Sequence, residues 1–260
     1  MKILFLKTLL NLVRTAAFVG LLLNAGCSKS GDDPAAGGSA TAGFLVGQVT
    51  DPQGKPLPGA TILADNLFLY NSHLETSSDA KGNYRVKTPT GSYRAIAQIR
   101  KSYNGKNYTL DLKPDNTAAF AGDEGAVRNF QWQLTGEDPE QSGRHYGGEV
   151  TLDKDILSEI DDVENIEFTF TPVGPLIDGT AGKTLKIRSG EPHSNSYGRI
   201  PDVPIGRYKI TAVHRPTGKL VQVKNKNGAY AADGSVTLDF YGENSPWACS
   251  NCLVIEYKER

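Results

Sequence analysis

Short runs of alternating apolar and other side chains, each closed within a few residues by a turn, constrain this chain more than anything else in it. Phe44-Leu-Val-Gly-Gln-Val-Thr50 alternates and stops at Asp51-Pro-Gln-Gly54. Tyr84-Arg-Val-Lys87 follows the turn Asp79-Ala-Lys-Gly-Asn83, and Thr90-Gly-Ser92 leads into Tyr93-Arg-Ala-Ile-Ala-Gln-Ile99, with Tyr93, Ala95, Ala97 and Ile99 on one face. Alternation at period two marks a half-buried strand, and turn residues at this spacing leave little room for helices. Lys106-Asn-Tyr-Thr-Leu-Asp-Leu112 and Ala126-Val-Arg-Asn-Phe-Gln-Trp-Gln-Leu134 complete the set. About seven strands result, the size of one sandwich, so the fold class expected is all-β.

The turns also carry a resemblance. Gly47-Gln-Val-Thr-Asp-Pro-Gln-Gly-Lys-Pro-Leu-Pro-Gly-Ala-Thr-Ile62, then Ser78-Asp-Ala-Lys-Gly-Asn-Tyr84 and Gly91-Ser-Tyr93, resemble the carboxypeptidase regulatory-like domain family over residues 43–135. The resemblance implies a seven-stranded transthyretin-like, or prealbumin-like, sandwich acting as a non-catalytic accessory, spacer or binding module. Gly198-Arg-Ile-Pro-Asp-Val-Pro-Ile-Gly-Arg-Tyr208 echoes the Gly82-to-Tyr93 pattern, and Gly148-Glu-Val-Thr-Leu152 echoes Gly47-Gln-Val-Thr50. Residues 147–260 therefore read as a second, diverged sandwich, with Ile166-Glu-Phe-Thr-Phe170 and Leu253-Val-Ile-Glu-Tyr257 among its strands. Residues 136–146, within the polar stretch around Thr135-Gly-Glu-Asp-Pro-Glu-Gln-Ser-Gly-Arg144, read as the linker. Ile156, Ile160 and Val163 stand at helical spacing, and Asp153 or Asp155 is placed to cap a short helix.

Ahead of the strands, Lys2, Lys7 and Arg14 precede the uncharged run Thr15–Leu23, which ends in small residues and Cys27. This is the order of a secretory signal, and the run is shorter than the roughly 20 residues needed to span a bilayer. Asn24-Ala-Gly-Cys27 resembles the lipobox of bacterial lipoproteins, although Asn24 stands where that motif has an aliphatic residue. The resemblance implies that residues 1–26 are removed and that Cys27 is lipidated. Ser28–Ala42, rich in Ser, Gly, Ala and Asp and without a large apolar side chain, then reads as a flexible tether within residues 27–42. Ser28-Lys-Ser-Gly-Asp-Asp33 also resembles the acidic export signal of some surface lipoproteins. The expected location is the outer membrane or cell surface, with the membrane as a partner through Cys27.

Chemistry is sparse. The formal net charge is −1, and losing Lys2, Lys7 and Arg14 with the signal makes the mature chain mildly acidic. No basic stripe suggests nucleic acid. Cys249-Ser-Asn-Cys252 reads first as a local disulfide in an oxidising compartment, with half a zinc site, a redox pair and free thiols as alternatives. There is no second Cys pair for zinc, and His145, His193 and His214 are scattered. No nucleophile elbow or zinc-peptidase motif is present, and Asp161-Asp162 reads as a solvated surface, so neither an enzyme nor a cofactor is expected. What remains is binding or assembly. Trp132, in step with Phe130 and Leu134, reads as core. Trp247, and Phe68 and Tyr70 in Leu67-Phe-Leu-Tyr-Asn-Ser-His73, together with Tyr103, are the candidate ligand-binding residues. The alternative for the 67–73 excursion is a hairpin covering its own core, and for Trp247 a plug beside the cysteines. The expected function is a non-enzymatic envelope lipoprotein that binds glycan or peptide, or else a structural or assembly partner of a larger outer-membrane complex.

Overall fold

A computed structural model describes residues 40–260. The expected signal (residues 1–26), the expected lipidation site Cys27 and the part of the expected tether up to residue 39 lie outside the described residues. The described residues form one compact unit.

The first half contains β1 (Phe44–Thr50), β2 (Thr61–Asn66), β3 (His73–Ser77), β4 (Asn83–Lys87), β5 (Ser92–Tyr103), β6 (Lys106–Asp111), β7 (Lys113–Pro114), β8 (Phe120–Ala121), β9 (Ala126–Val127) and β10 (Phe130–Gln131). One sheet has the order β4-β1-β10-β7 with β9 also on β1, and the other β3-β2-β5-β6 with β8 on β5. β1 is antiparallel to β4 and parallel to β9 and β10. The predicted Tyr93, Ala95, Ala97, Ile99 face is buried, as are Phe130 and Trp132. The stretch 126–134, expected as one strand, is broken. Val46 pairs with Val127 and Val49 with Phe130, while the Gln48 amide between them donates to the Asn129 side chain at 3.0 Å instead of to a backbone carbonyl. A Cβ on Gly47 would lie 1.7 Å from the Arg128 carbonyl oxygen, so the backbones close up where the ladder is interrupted.

The second half contains β11 (Gly148–Lys154), β12 (Ile166–Pro172), β13 (Leu185–Ile187), β14 (Arg199–Val203), β15 (Arg207–His214), β16 (Lys219–Asn225), β17 (Val236–Asp239) and β18 (Cys252–Glu259). Its pairings repeat those of the first half. β11 is antiparallel to β14 and parallel to β18, as β1 is to β4 and to β9 and β10. β12 lies between β13 and β15, and β17 pairs the start of β15 as β8 pairs the start of β5. β16 pairs both β15 and β18, doing in one strand what β6 and β7 do in two, so the whole half is one continuous eight-stranded sheet. Tyr93 and Tyr208, the tyrosines that close the two echoed motifs, are both buried near the starts of β5 and β15.

The helix expected from Ile156, Ile160 and Val163 is not formed. The Asp155 side chain accepts the Leu157 amide at 2.9 Å, turning the chain after β11. Only Val163–Asn165 coils, as a single 3-10 turn. Ile160 and Val163 are buried, but Ile156 and Leu157 are 97% and 76% exposed. An aspartate that captures an amide two residues ahead competes with a helix, and here it wins.

Candidate functional site

The two halves meet where β5 ends and β6 begins. Tyr103 donates its hydroxyl to the Pro175 carbonyl at 2.8 Å and accepts the Arg207 amide at 3.0 Å. Asn104 donates to Asp239 at 2.7 Å, and the buried Tyr108 hydroxyl to the Phe240 carbonyl at 2.7 Å. Arg100 grips Glu243 through two bonds of 2.9 and 2.7 Å, and Thr109 donates to the same carboxylate at 2.7 Å. The Thr109 hydroxyl and the Arg100 guanidinium hold the Glu243 carboxyl below its ordinary range. A seam so rich in directional bonds fixes the relative position of the two halves.

Beside it opens a cavity of about 580 Å³, walled by β5 and β6 (Gln98, Thr109, Asp111), by β14 (Asp202) and by the C-terminal loop (Glu243, Asn251). Its rim is the segment expected to be a linker. That segment folds back on itself: the Asp138 amide donates to the Arg144 carbonyl and the Tyr146 amide to the Gly136 carbonyl. Both ends are pinned by Asp202, whose carboxylate accepts the Gly136 and Gly147 amides. Asp202 holds a left-handed φ of 62°, a conformation uncommon outside glycine, in making this clasp. Arg144 pairs with Asp111, and Gln98 donates to the same aspartate at 2.7 Å.

Four side-chain atoms of the folded-back segment and the C-terminal loop are buried without a hydrogen-bond partner among the described residues: Tyr146 Oη, Asn251 Oδ1, Glu140 Oε1 and Trp247 Nε1. The first two belong to residues lining the cavity. Burial first, then the nearby carboxylates of Asp138, Asp111 and Glu140, push the Tyr146 hydroxyl well above its ordinary range, so it stays a donor. Burial likewise raises the Glu140 carboxyl, against the opposing charge of Arg94. Buried polar atoms are ordinarily paired, and leaving one unpaired costs about 1–3 kcal/mol. Donors, acceptors and paired charges of both signs around one cavity suit a neutral, polyhydroxylated or amide-bearing ligand. Among the described residues no group of three or more His, Cys, Asp and Glu is placed to hold a metal.

The four aromatic residues singled out from the sequence are not brought together. Tyr103 is no open platform, because both hydrogen-bonding directions of its hydroxyl are committed to the seam. Trp247 is half-buried in the loop that supplies Glu243 and Asn251, with the Lys226 ammonium 5.7 Å from its ring. Phe68 and Tyr70 stand 81% and 102% exposed beyond β2, at the opposite end of β5 from Tyr103, so they do not cover their own core. Cys249 and Cys252 form a disulfide with a Cα–Cα distance of 6.1 Å at the start of β18. The residues that line the cavity were missed because they come from two strands, a polar connection and a loop, with no local spacing to mark them.

Residues 45–121 match the carboxypeptidase regulatory-like domain, a non-catalytic, transthyretin-type module. Among solved structures the chain is similar to the Bacillus anthracis TIE protein, at 14% identity and a TM-score of 0.34, over 84% of this chain and 34% of that one. It is also similar to the pilus adhesin SpaC from Lactobacillus rhamnosus GG, at 12% identity and a TM-score of 0.26, over 86% and 30%. The chain thus spans about a third of the length of either protein. No curated protein matches it in sequence.

Proposed function

We propose that this chain, whose residues 45–121 are a carboxypeptidase regulatory-like domain, is a non-enzymatic lipoprotein of the outer membrane or cell surface, anchored through Cys27, that binds a glycan or peptide in the cleft between its halves. The observation that carries the reading is the pair of buried, unpartnered atoms, Tyr146 Oη and Asn251 Oδ1, on residues lining a cavity built from both halves. A sugar hydroxyl or a peptide amide supplies both the donor and the acceptor that these atoms lack. Trp247, on the same loop as Asn251, is the aromatic neighbour against which a ring or an apolar side chain packs.

The test is binding of the mature chain to a panel of polysaccharides, peptidoglycan fragments and peptides, with Tyr146→Phe and Trp247→Ala alongside. The reading expects a ligand whose affinity falls about three- to tenfold on loss of the Tyr146 hydroxyl, the worth of one hydrogen bond. Absence of binding across the panel sinks it. The second reading, an assembly partner in a larger envelope complex, is favoured by one feature: Ile156 and Leu157, adjacent and exposed on the turn after β11. It expects a protein to co-purify with the native chain and to be lost from the Ile156→Asp, Leu157→Asp double variant.

A further inference from the structure

The excursion between β2 and β3 is an ordered loop with an apolar surface. Asn66 caps it, its side-chain oxygen accepting the Phe68 and Leu69 amides at 2.9 and 3.0 Å, while the Asn66 amide donates to the Ser72 carbonyl at 2.8 Å. Asn71 closes it with a left-handed φ of 51°. Leu67, Phe68, Leu69 and Tyr70 are 39%, 81%, 59% and 102% exposed, and no charged residue interrupts them. Four consecutive large apolar side chains displayed by a backbone held in place are costly in water unless something covers them.

The fold shows what lies beside them. The Leu67 amide donates to the Ser92 carbonyl; the adjacent Gly91 carbonyl accepts the Gly122 amide; and the next carbonyl along, Asp123, accepts the Gly43 amide. The loop therefore shares one end of the sandwich with Gly43, where the chain from Cys27 enters. The second half leaves from the other end, beyond Gln131. Only residues 28–42 separate the lipidated cysteine of the proposed function from this entry point.

We propose that Leu67–Tyr70 is a membrane-docking tip, inserted into the interfacial layer of the bilayer that holds the lipid anchor. This rests on the reading of Cys27 as lipidated, and deepens it from a tether to an oriented attachment. Apolar residues with a tyrosine at the edge match the composition of interfacial contacts, where an amphipathic ring sits at headgroup level. Charge contributes little, because the loop is uncharged and, at the same end, the acidic Asp123 and Glu124 are partly offset by the exposed Lys87, which pairs with Phe44. Docking is therefore insensitive to headgroup charge.

The experiment uses the full acylated chain carrying Phe68→Trp, reconstituted in phosphatidylethanolamine–phosphatidylglycerol vesicles with and without brominated acyl chains. The parent chain, with Trp132 and Trp247, is the control. The tip predicts at least about twofold quenching of the added tryptophan by the brominated lipid, and its loss when Leu67, Leu69 and Tyr70 are changed to Asp. Quenching no greater than the parent's, in protein shown by mass spectrometry to be acylated at Cys27 and bound to the vesicles, overturns the tip and leaves the anchor standing. An unacylated Cys27 overturns the anchor instead. The tip is then tested on a chain starting at Ser28 and held on nickel-chelating lipid by an N-terminal histidine tag, where quenching supports the loop's affinity for lipid and its absence overturns it. Protection of the loop by a co-purifying protein, without quenching by lipid, also overturns the proposal.

Discussion

Two buried tyrosine hydroxyls separate structural from ligand-directed chemistry. Tyr108 donates across the seam to the Phe240 carbonyl, and Tyr146 donates to nothing among the described residues. Tyr108→Phe should destabilise the protein by about 1 kcal/mol in urea unfolding, a loss limited because Lys106 also donates to the Phe240 carbonyl at 3.1 Å. Tyr146→Phe should leave stability unchanged or slightly raised, since it removes an unmet polar group. Asp239, together with Glu243, contributes to the pH dependence of the seam. Burial pushes its carboxyl up, but the hydrogen bonds and charge of Arg207 and the bond from Asn104 outweigh this and hold it below its ordinary range. Its contribution is therefore complete above the ordinary aspartate range and fades as pH falls through the lowered value. Unfolding free energy measured from pH 6 down to pH 2 should drop less steeply in Asp239→Asn than in the parent; equal slopes would remove Asp239 as a contributor.

At the scale of elements, the contact between β1 and the broken β9–β10 segment is the least tolerant of change. Gly47→Ala places a methyl group against the Arg128 backbone, which has no side-chain freedom with which to yield, and should cost about 3 kcal/mol, read as a shift of the denaturation midpoint. The period-two signal made β4, β5, β6 and β12 legible, because one face of each is more buried than the other; in β1 and β18 adjacent residues, Leu45 with Val46 and Cys252 through Ile255, are buried together, so burial there does not follow the alternation. The signal gave no warning of β3, whose residues are exposed or half-buried, or of β13 and β17, which are short and take their pairing from neighbours. The helical spacing of Ile156, Ile160 and Val163 misled for a reason local to Asp155. The cavity was illegible because its donors and acceptors lie as far apart in sequence as Gln98 and Asn251, and only the seam brings them together.

For the molecule as a whole, the seam decides whether the cavity exists. Gly242 packs so closely on β6 that a Cβ there would lie 2.0 Å from the Asn107 carbonyl oxygen. Its φ is not in the left-handed region, so Gly242→Ala tests this contact and not local backbone strain. It should increase hydrogen exchange at Asn107–Thr109 and at 240–251, and weaken any cleft ligand, while Leu45–Val49 keeps its protection; unchanged exchange would show that the seam closes without this contact. The arrangement of β1 also has a mechanical consequence. The chain enters at the start of β1 and leaves for the second half from the end of β10, and these strands run parallel side by side. A pull between the entry and the second half therefore slides β1 past β9 and β10 along their common axis, loading the bonds between them together. Peeling would load them singly. This is shear, and a chain pulled between these two points resists where the Gly47 and Arg128 backbones close up.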